Sequence, residues 1–300
     1  MKPCAFAYHR PPDISGVVDT LERYPDSAKI LAGGQSLIPA MNLRMATPPV
    51  LVDIAGVPDL GALQVQADGR LQAGAMVTHA AFLRRPDIAQ GWPPIVQAVQ
   101  HVAHLAVRNR GTIGGSLCHA DPAAEWPAVC LLLDAQMHVA GRAGIRTVSA
   151  DAFIQGVYET ALQPGELLTQ IVFPALSPGW RWGFHEIARR RGDFALAGAL
   201  AGVCVNELGR VTHGRLVVFA AEDQARRFDD VFSMPPGESL PGLDIDRIDS
   251  IGLSVAAQVE PRSDLHADAA LRAHLVHACV VQAVGQAVGQ AMSQPGVMHG

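Results

Sequence analysis

RNRGTIGGSLCHADPAAEWPAVCLLLDA, residues 108–135, decides how this chain is read. Its first half is a glycine-rich loop, with Gly111, Gly114 and Gly115 set among the hydroxyls of Thr112 and Ser116. Its second half is apolar and predicts a helix from near Pro122, capped by Asp121, to Leu133. A glycine-rich turn between a strand and a helix exposes unpaired amide N–H groups. The missing side chains let a phosphate or another backbone come close. Residues 32–36, AGGQS, repeat the arrangement upstream. They follow a strand candidate at 28–32 and precede a helix candidate, Ser36 to Met45, with Leu37, Met41 and Met45 on one face. One such loop holds one phosphate, and two suit the pyrophosphate of a dinucleotide such as FAD or NAD. Neither has the GxGxxG spacing of a Rossmann fold, so a dinucleotide is held by another architecture. Two plain tight turns are the alternative on these residues alone.

Around these loops the first half alternates short strands and helices. VLVDI (50–54) reads as a strand. LQVQ (63–66) and LQAGA (71–75) read as a hairpin around Asp68-Gly69 with a type I′ turn. Thr78 is placed to cap a short helix through Phe82 and Leu83, and Pro94 to Leu105 reads as helical. Strands are expected at 136–140, 145–148 and 167–173, the last stopped by Pro174. Ser177-Pro178-Gly179 is the best boundary. Beyond it come long strand candidates at 180–188, 194–205 and 210–220, a polar proline-bearing loop at 234–248, and a long helix from Asp264 to about Val288. Residues 291–300 are expected to be a flexible tail.

Composition removes several function classes. The chain has 300 residues, 49% hydrophobic and 17% charged, enough for about two domains with real cores. Its net charge of −5 and 5% aromatic content give no footprint for nucleic acid. No apolar run approaches the roughly 20 residues of a membrane span, and MKPCAFAYHRPP at the N-terminus lacks the apolar stretch expected of a signal peptide. A cytoplasmic protein is expected. Lys2 and Lys29 are the only lysines, and neither sits in a Walker A setting. The five cysteines, Cys4, Cys118, Cys130, Cys204 and Cys279, never fall at CxxC spacing, which argues against zinc ribbons and iron–sulfur clusters on this chain.

AGGQSLIPAMNLRMATPPVLVDI (32–54) and the 108–135 stretch together resemble the FAD-binding medium subunit of molybdenum hydroxylases, the xanthine dehydrogenase and carbon monoxide dehydrogenase family. GAMVTH (74–79), RRRGDFALAG (189–198) and PRSDLHADAALRAHL (261–275) extend the resemblance in order along the chain. It implies an α+β fold. A p-cresol methylhydroxylase-type FAD-binding domain spans 1–176, in subdomains of about 1–56 and 57–176. A smaller C-terminal α+β domain, an antiparallel sheet packed on helices, spans 177–290. It also implies cofactor contacts from Ile30, Leu31, Ala32, Gly33, Gly34, Gln35, Ser36 and Leu37, and from Gly111, Thr112, Ile113, Gly114 and Gly115. Val102 is included with these. Glu125 would meet the adenosine ribose, Leu168 would lie near the isoalloxazine, and Phe194 would lie near the ring or gate it. His185 and Glu186 stand where several members place a flavin-proximal lysine. This chain further departs from the family in having Glu125 for Asp, Ser116 for Asn and Cys118 for alanine.

The implied function is electron transfer. FAD would take electrons from [2Fe–2S] clusters on a small subunit, supplied by a large molybdenum-cofactor subunit, and pass them to an external acceptor. The assembly would be a heterotrimer or a dimer of heterotrimers. No catalytic residue and no metal ligand is assigned to this chain. A self-sufficient FAD-dependent oxidase or dehydrogenase acting on its own organic substrate is the alternative. His79, His101, His104 and His119 flank the expected site, as hydrogen-bonded scaffolding or as a covalent attachment point or base. Arg189, Arg190 and Arg191 either bind an acidic partner or NAD phosphate, or form a solvated strand end.

Overall fold

The computed structural model describes residues 2–206, 210–232 and 243–292. In chain order its first strands are β1 (Ala7–His9), β2 (Ala28–Leu31), β3 (Val50–Asp53), β4 (Leu63–Val65), β5 (Leu71–Gly74), β6 (Gln136–Gly141) and β7 (Gly144–Ser149). Then come β8 (Ile154–Gly156), β9 (Glu159–Thr160), β10 (Leu167–Phe173), β11 (Trp180–Ala188), β12 (Ala195–Val205), β13 (Val211–Phe219) and β14 (Arg226–Arg227). The helices are α1 (Ile14–Arg23), α2 (Leu37–Asn42), α3 (His79–Leu83), α4 (Pro86–Gly91), α5 (Pro93–Val99) and α6 (Leu105–Arg108). They continue with α7 (Ile113–His119), α8 (Glu125–Leu132), α9 (Ala150–Phe153), α10 (Ile245–Gln258) and α11 (Ala269–Met292).

Two compact units share this chain. The first takes residues up to Arg85, then His104–Asp121 and Leu133–Ala175; the second takes Pro86–Ala103, Pro122–Leu132 and everything from Leu176 on. In the first unit, β3 lies between β1 and β2, both parallel to it. Val50, Leu51 and Val52 are all buried, as a central parallel strand requires. Asp13 caps α1 by accepting from the Gly16 amide, and Val17 and Leu21 pack into the same core as Val50 and Val52. The second sheet of this unit is antiparallel, in the order β4-β5-β10-β6-β7, with β10 central and largely buried.

The β4–β5 connection differs from the expected turn. Gly69 alone has positive φ, at 82°, its amide donates to Gln66 O, and the Gln66 amide donates to Arg70 O. That is a three-residue loop with glycine in the left-handed position, whereas a type I′ turn needs positive φ at two central residues. The Thr78 side chain makes no cap bond to α3. Helix Pro94–Leu105 is shorter than expected, ending at Val99, with the separate turn α6 after it.

In the second unit β11, β12, β13 and β14 form an antiparallel sheet in sequence order. Strand β12, ALAGALAGVCV, alternates its faces with period two. Ala197, Ala199, Ala201 and Val203 share a core with Val276, Val280, Ala283, Val284 and Ala287 of α11, spaced as one helical stripe. Gly183 lets α11 rest directly on β11, because a Cβ there would run into the Ala283 carbonyl. Buried Arg272 ties α11 to the sheet, donating to Leu196 O, Ala220 O and Asp264 Oδ2. On the opposite face Arg215 donates to Leu132 O of α8, and Phe184 meets the His101 ring beyond α5.

Helix α10 corrects the loop expected at 234–248: it starts at Ile245, with Asp244 accepting from the Arg247 amide. Residues 234–242 lie outside the described residues, as do 293–300 of the expected tail. The tail boundary shifts too, since α11 runs on to Met292. At its other end α11 begins at Ala269, after a turn in which Asp264 accepts from the amides of His266 and Ala267.

Candidate functional site

The chain leaves β2 at Leu31 and turns through Ala32–Ser36 into α2. Gly34 has φ +72°, a left-handed conformation that favours glycine. The amides of Gly33, Gly34, Gln35 and Ser36 have no acceptor among the described residues, and the first helical bond is Ile38 N to Gly34 O. Gln35 folds back, its Nε2 donating to Gly33 O at 3.0 Å. Ser36, expected as a hydroxyl at the helix start, makes no cap bond. Ile30, Leu31, Ala32 and Leu37 flank this turn half-buried. These donors stand half-buried to exposed at a helix start, and an anion there can accept from several of them at once.

The second glycine-rich stretch is not a loop of bare donors. Thr112 is an N-cap whose Oγ1 accepts from Gly115 N at 3.1 Å, and Ile113–His119 is the helix α7. The amides of Gly111, Ile113 and Gly114 donate to Val107 O, Val77 O and Ala75 O. Expectation and structure differ because these glycines serve close packing. A Cβ on Gly114 would lie 2.5 Å from the Ala75 Cβ, and one on Gly111 would lie 2.8 Å from the His79 ring. A Cβ on Gly33 would strike the Arg110 carbonyl, and one on Gly115 would lie 3.6 Å from the Ala32 Cβ. The 111–115 stretch is therefore a brace behind the 32–36 turn. The brace is itself zipped to 75–79 by the bonds above and by His79 N to Gly111 O at 3.0 Å.

His79 belongs to this brace. Burial pushes its imidazole down to about 4, with the Arg108 charge adding to the effect, so it is neutral at ordinary pH. The His119 ring lies tilted against Tyr158, centroids 5.0 Å apart, and its pKa too is lowered by burial. Leu168 is buried in β10, next to a bulge at Thr169.

In the second unit Val102 is buried just beyond α5, and Glu125 is buried in the first turn of α8. The helix start there is three residues later than the sequence suggested. His185 and Glu186 lie in β11 opposite Ala199 and Gly198. Phe194 is 66% exposed at the tip of the β11–β12 hairpin, where Gly192 has φ +87°. Glu186 Oε1 lies 3.2 Å from His101 Nδ1, a pairing that joins β11 to the segment carrying Val102. No sequence signal could have found that pair, since its members are far apart in the chain and match no motif.

The donor turn fits the diphosphate of a dinucleotide, and the comparisons name which. Residues 4–176 match the family described as the FAD binding domain in molybdopterin dehydrogenase, and residues 182–287 match the CO dehydrogenase flavoprotein C-terminal domain. The chain is 37% identical over 284 residues to the nicotine 6-hydroxylase medium subunit of Paenarthrobacter nicotinovorans, covering 95% of this chain and 98% of that one. It is 32% identical to the carbon monoxide dehydrogenase medium chain of Hydrogenophaga pseudoflava, covering 95% and 97%. Among solved structures, quinoline 2-oxidoreductase from Pseudomonas putida 86 superposes with a TM-score of 0.90 at 38% identity, over 97% of this chain and 100% of that one. The α+β architecture expected from the resemblance is thus the observed one. The chain belongs to the molybdenum hydroxylase family, as an FAD-binding oxidoreductase subunit.

Proposed function

We propose that this chain carries electrons from the [2Fe–2S] clusters of a small partner subunit through FAD to an external acceptor. A large molybdenum-cofactor subunit would complete a cytoplasmic heterotrimer or dimer of heterotrimers. The observation that carries the cofactor's placement is the run of unpaired amides from Gly33 to Ser36. These donors hold the pyrophosphate, with Ile30, Leu31, Ala32 and Leu37 around them. Gly111, Thr112, Ile113, Gly114 and Gly115 act by fixing the turn's shape. Leu168, Val102, Glu125, His185, Glu186 and Phe194 complete the proposed cofactor contacts. Bound flavin exchanges electrons singly or in pairs, which lets it join one-electron clusters to a two-electron acceptor. The protein's part is to hold the charged diphosphate by backbone dipoles that need no reorganisation. The functional division is proposed at 176/177, with the FAD-binding domain before it.

Native co-purification tests the reading. The chain should emerge with two partner chains, and the preparation should contain flavin, iron and molybdenum. A chain purified alone, whose flavin an organic substrate reduces without partners, would overturn it.

A further inference from the structure

We propose that His101 is a positioning residue that steers the Glu186 carboxylate, and that Glu186 Oε2 is held free to accept a hydrogen bond from the ring N–H of bound flavin. The inference rests on the reading above that Glu186 belongs to the cofactor site.

The Glu186 side chain is 5% exposed. Its Oε1 is 3.2 Å from His101 Nδ1, while Oε2 is buried without a hydrogen-bond partner. A buried carboxylate oxygen with no donor forfeits its hydration and gains nothing in return. Such an atom is completed in native proteins by a bound ligand, ion or water. Oxidised isoalloxazine has a single ring N–H, set between two carbonyls, and a carboxylate oxygen is the matching acceptor.

His101 is built to hold the other oxygen. Its ring lies against Phe184, with centroids 4.8 Å apart, while 44% of its side chain stays exposed. It therefore touches both the buried carboxylate and solvent. Two other titratable groups interact with the pair. Burial lowers the pKa of His185 on β11, with His101 adding to the effect and Glu186 opposing it. Cys279 on α11 has its thiol pushed up to about 12 by burial, with the Glu186 charge adding to the effect.

The test uses the purified complex with Glu186→Gln, His101→Gln and His101→Ala, reading FAD dissociation. Glu186→Gln should raise the FAD dissociation constant about tenfold, which is about 1.4 kcal/mol. His101→Gln keeps a donor to Oε1 and should hold FAD within about twofold, whereas His101→Ala removes that donor and should weaken FAD about tenfold. Normal FAD affinity in Glu186→Gln, or equal affinity in His101→Ala and His101→Gln, overturns the proposal. If Glu186→Gln does not fold, the two His101 variants decide alone. A Gly34→Val control separates the two readings. If it strips FAD while all three variants behave as wild type, the donor turn stands and only the dyad falls. If Gly34→Val also keeps FAD, the placement of the cofactor falls with it.

Discussion

Protonating His79 should loosen the brace behind the donor turn. The imidazole is 4% exposed, and its pKa falls from 6.5 to about 4. At roughly 1.4 kcal/mol per unit, that drop corresponds to about 3–4 kcal/mol. Because the folded value is the lower one, the unfolded chain takes up the proton first as pH falls. The stability is therefore complete above about pH 6.5 and is lost progressively down to about pH 4, at up to roughly 1.4 kcal/mol per pH unit. Urea unfolding of the isolated chain at several pH values, beside His79→Gln, isolates this group, because the other titrations largely cancel in the difference. The variant should be less stable at pH 7.5 but fall more gently with acid, so that the two curves converge near pH 4. FAD retention should follow the wild-type curve, since His79 N holds Gly111 O and Gly33 rests on the Arg110 carbonyl. Parallel curves, or an NMR titration placing the His79 pKa near 6.5, would refute the reasoning.

Neighbouring glycines should fail differently. Gly33→Ala should lose stoichiometric FAD, read as the ratio of flavin to protein absorbance, because its Cβ meets backbone that cannot move aside. Gly34→Asn should keep most of its FAD, since asparagine tolerates left-handed φ and its Cβ meets only the tips of Ile38 and Leu31, at 3.1 and 3.3 Å. Gly114→Ala should lower unfolding stability by about 1–3 kcal/mol through its clash with Ala75, measurable in urea. Arg272→Ala should cost about 3–5 kcal/mol by the same assay, as the Asp264 carboxylate and the Leu196 and Ala220 carbonyls lose a buried partner.

What could be read from sequence was what local chemistry controls. Strands at 50–54 and 167–173 read as short strand-like runs closed by turn residues, 180–188 as a long strand candidate after Ser177-Pro178-Gly179, and each is present within a residue or so. Helix α10 was missed although its signal existed: Asp244 at the cap, then Ile248, Ile251 and Val255 on one face. The prolines and glycines just before it carry a competing loop signal. Helix α7 was misread because Gly114 and Gly115 disfavour helix locally. Tertiary packing against Ala75 selects glycine at 114, and a Cβ on Gly115 would lie 2.9 Å from the Thr112 Oγ1 that caps the turn. The passage of Pro86–Ala103 and Pro122–Leu132 into the second unit was invisible, since it depends on long-range contacts and not on any linker signature.

Two motifs that look alike, AGG and IGG, therefore solve opposite problems. In 32–36 the backbone is left with donors it cannot satisfy, and glycine supplies the left-handed turn that aligns them. In 111–115 the amides of Gly111, Ile113, Gly114 and Gly115 are all spent inside the protein, and glycine supplies only room. A motif states that side chains are missing, and the atoms opposite each glycine state why. The affinity for a diphosphate should accordingly track the geometry of the first turn, while the second sets how rigidly that geometry is kept. Preorganised dipoles bind an anion well only if they do not relax when it leaves. The buried, neutral His79 and the Arg110 carbonyl against Gly33 are what prevent that relaxation here.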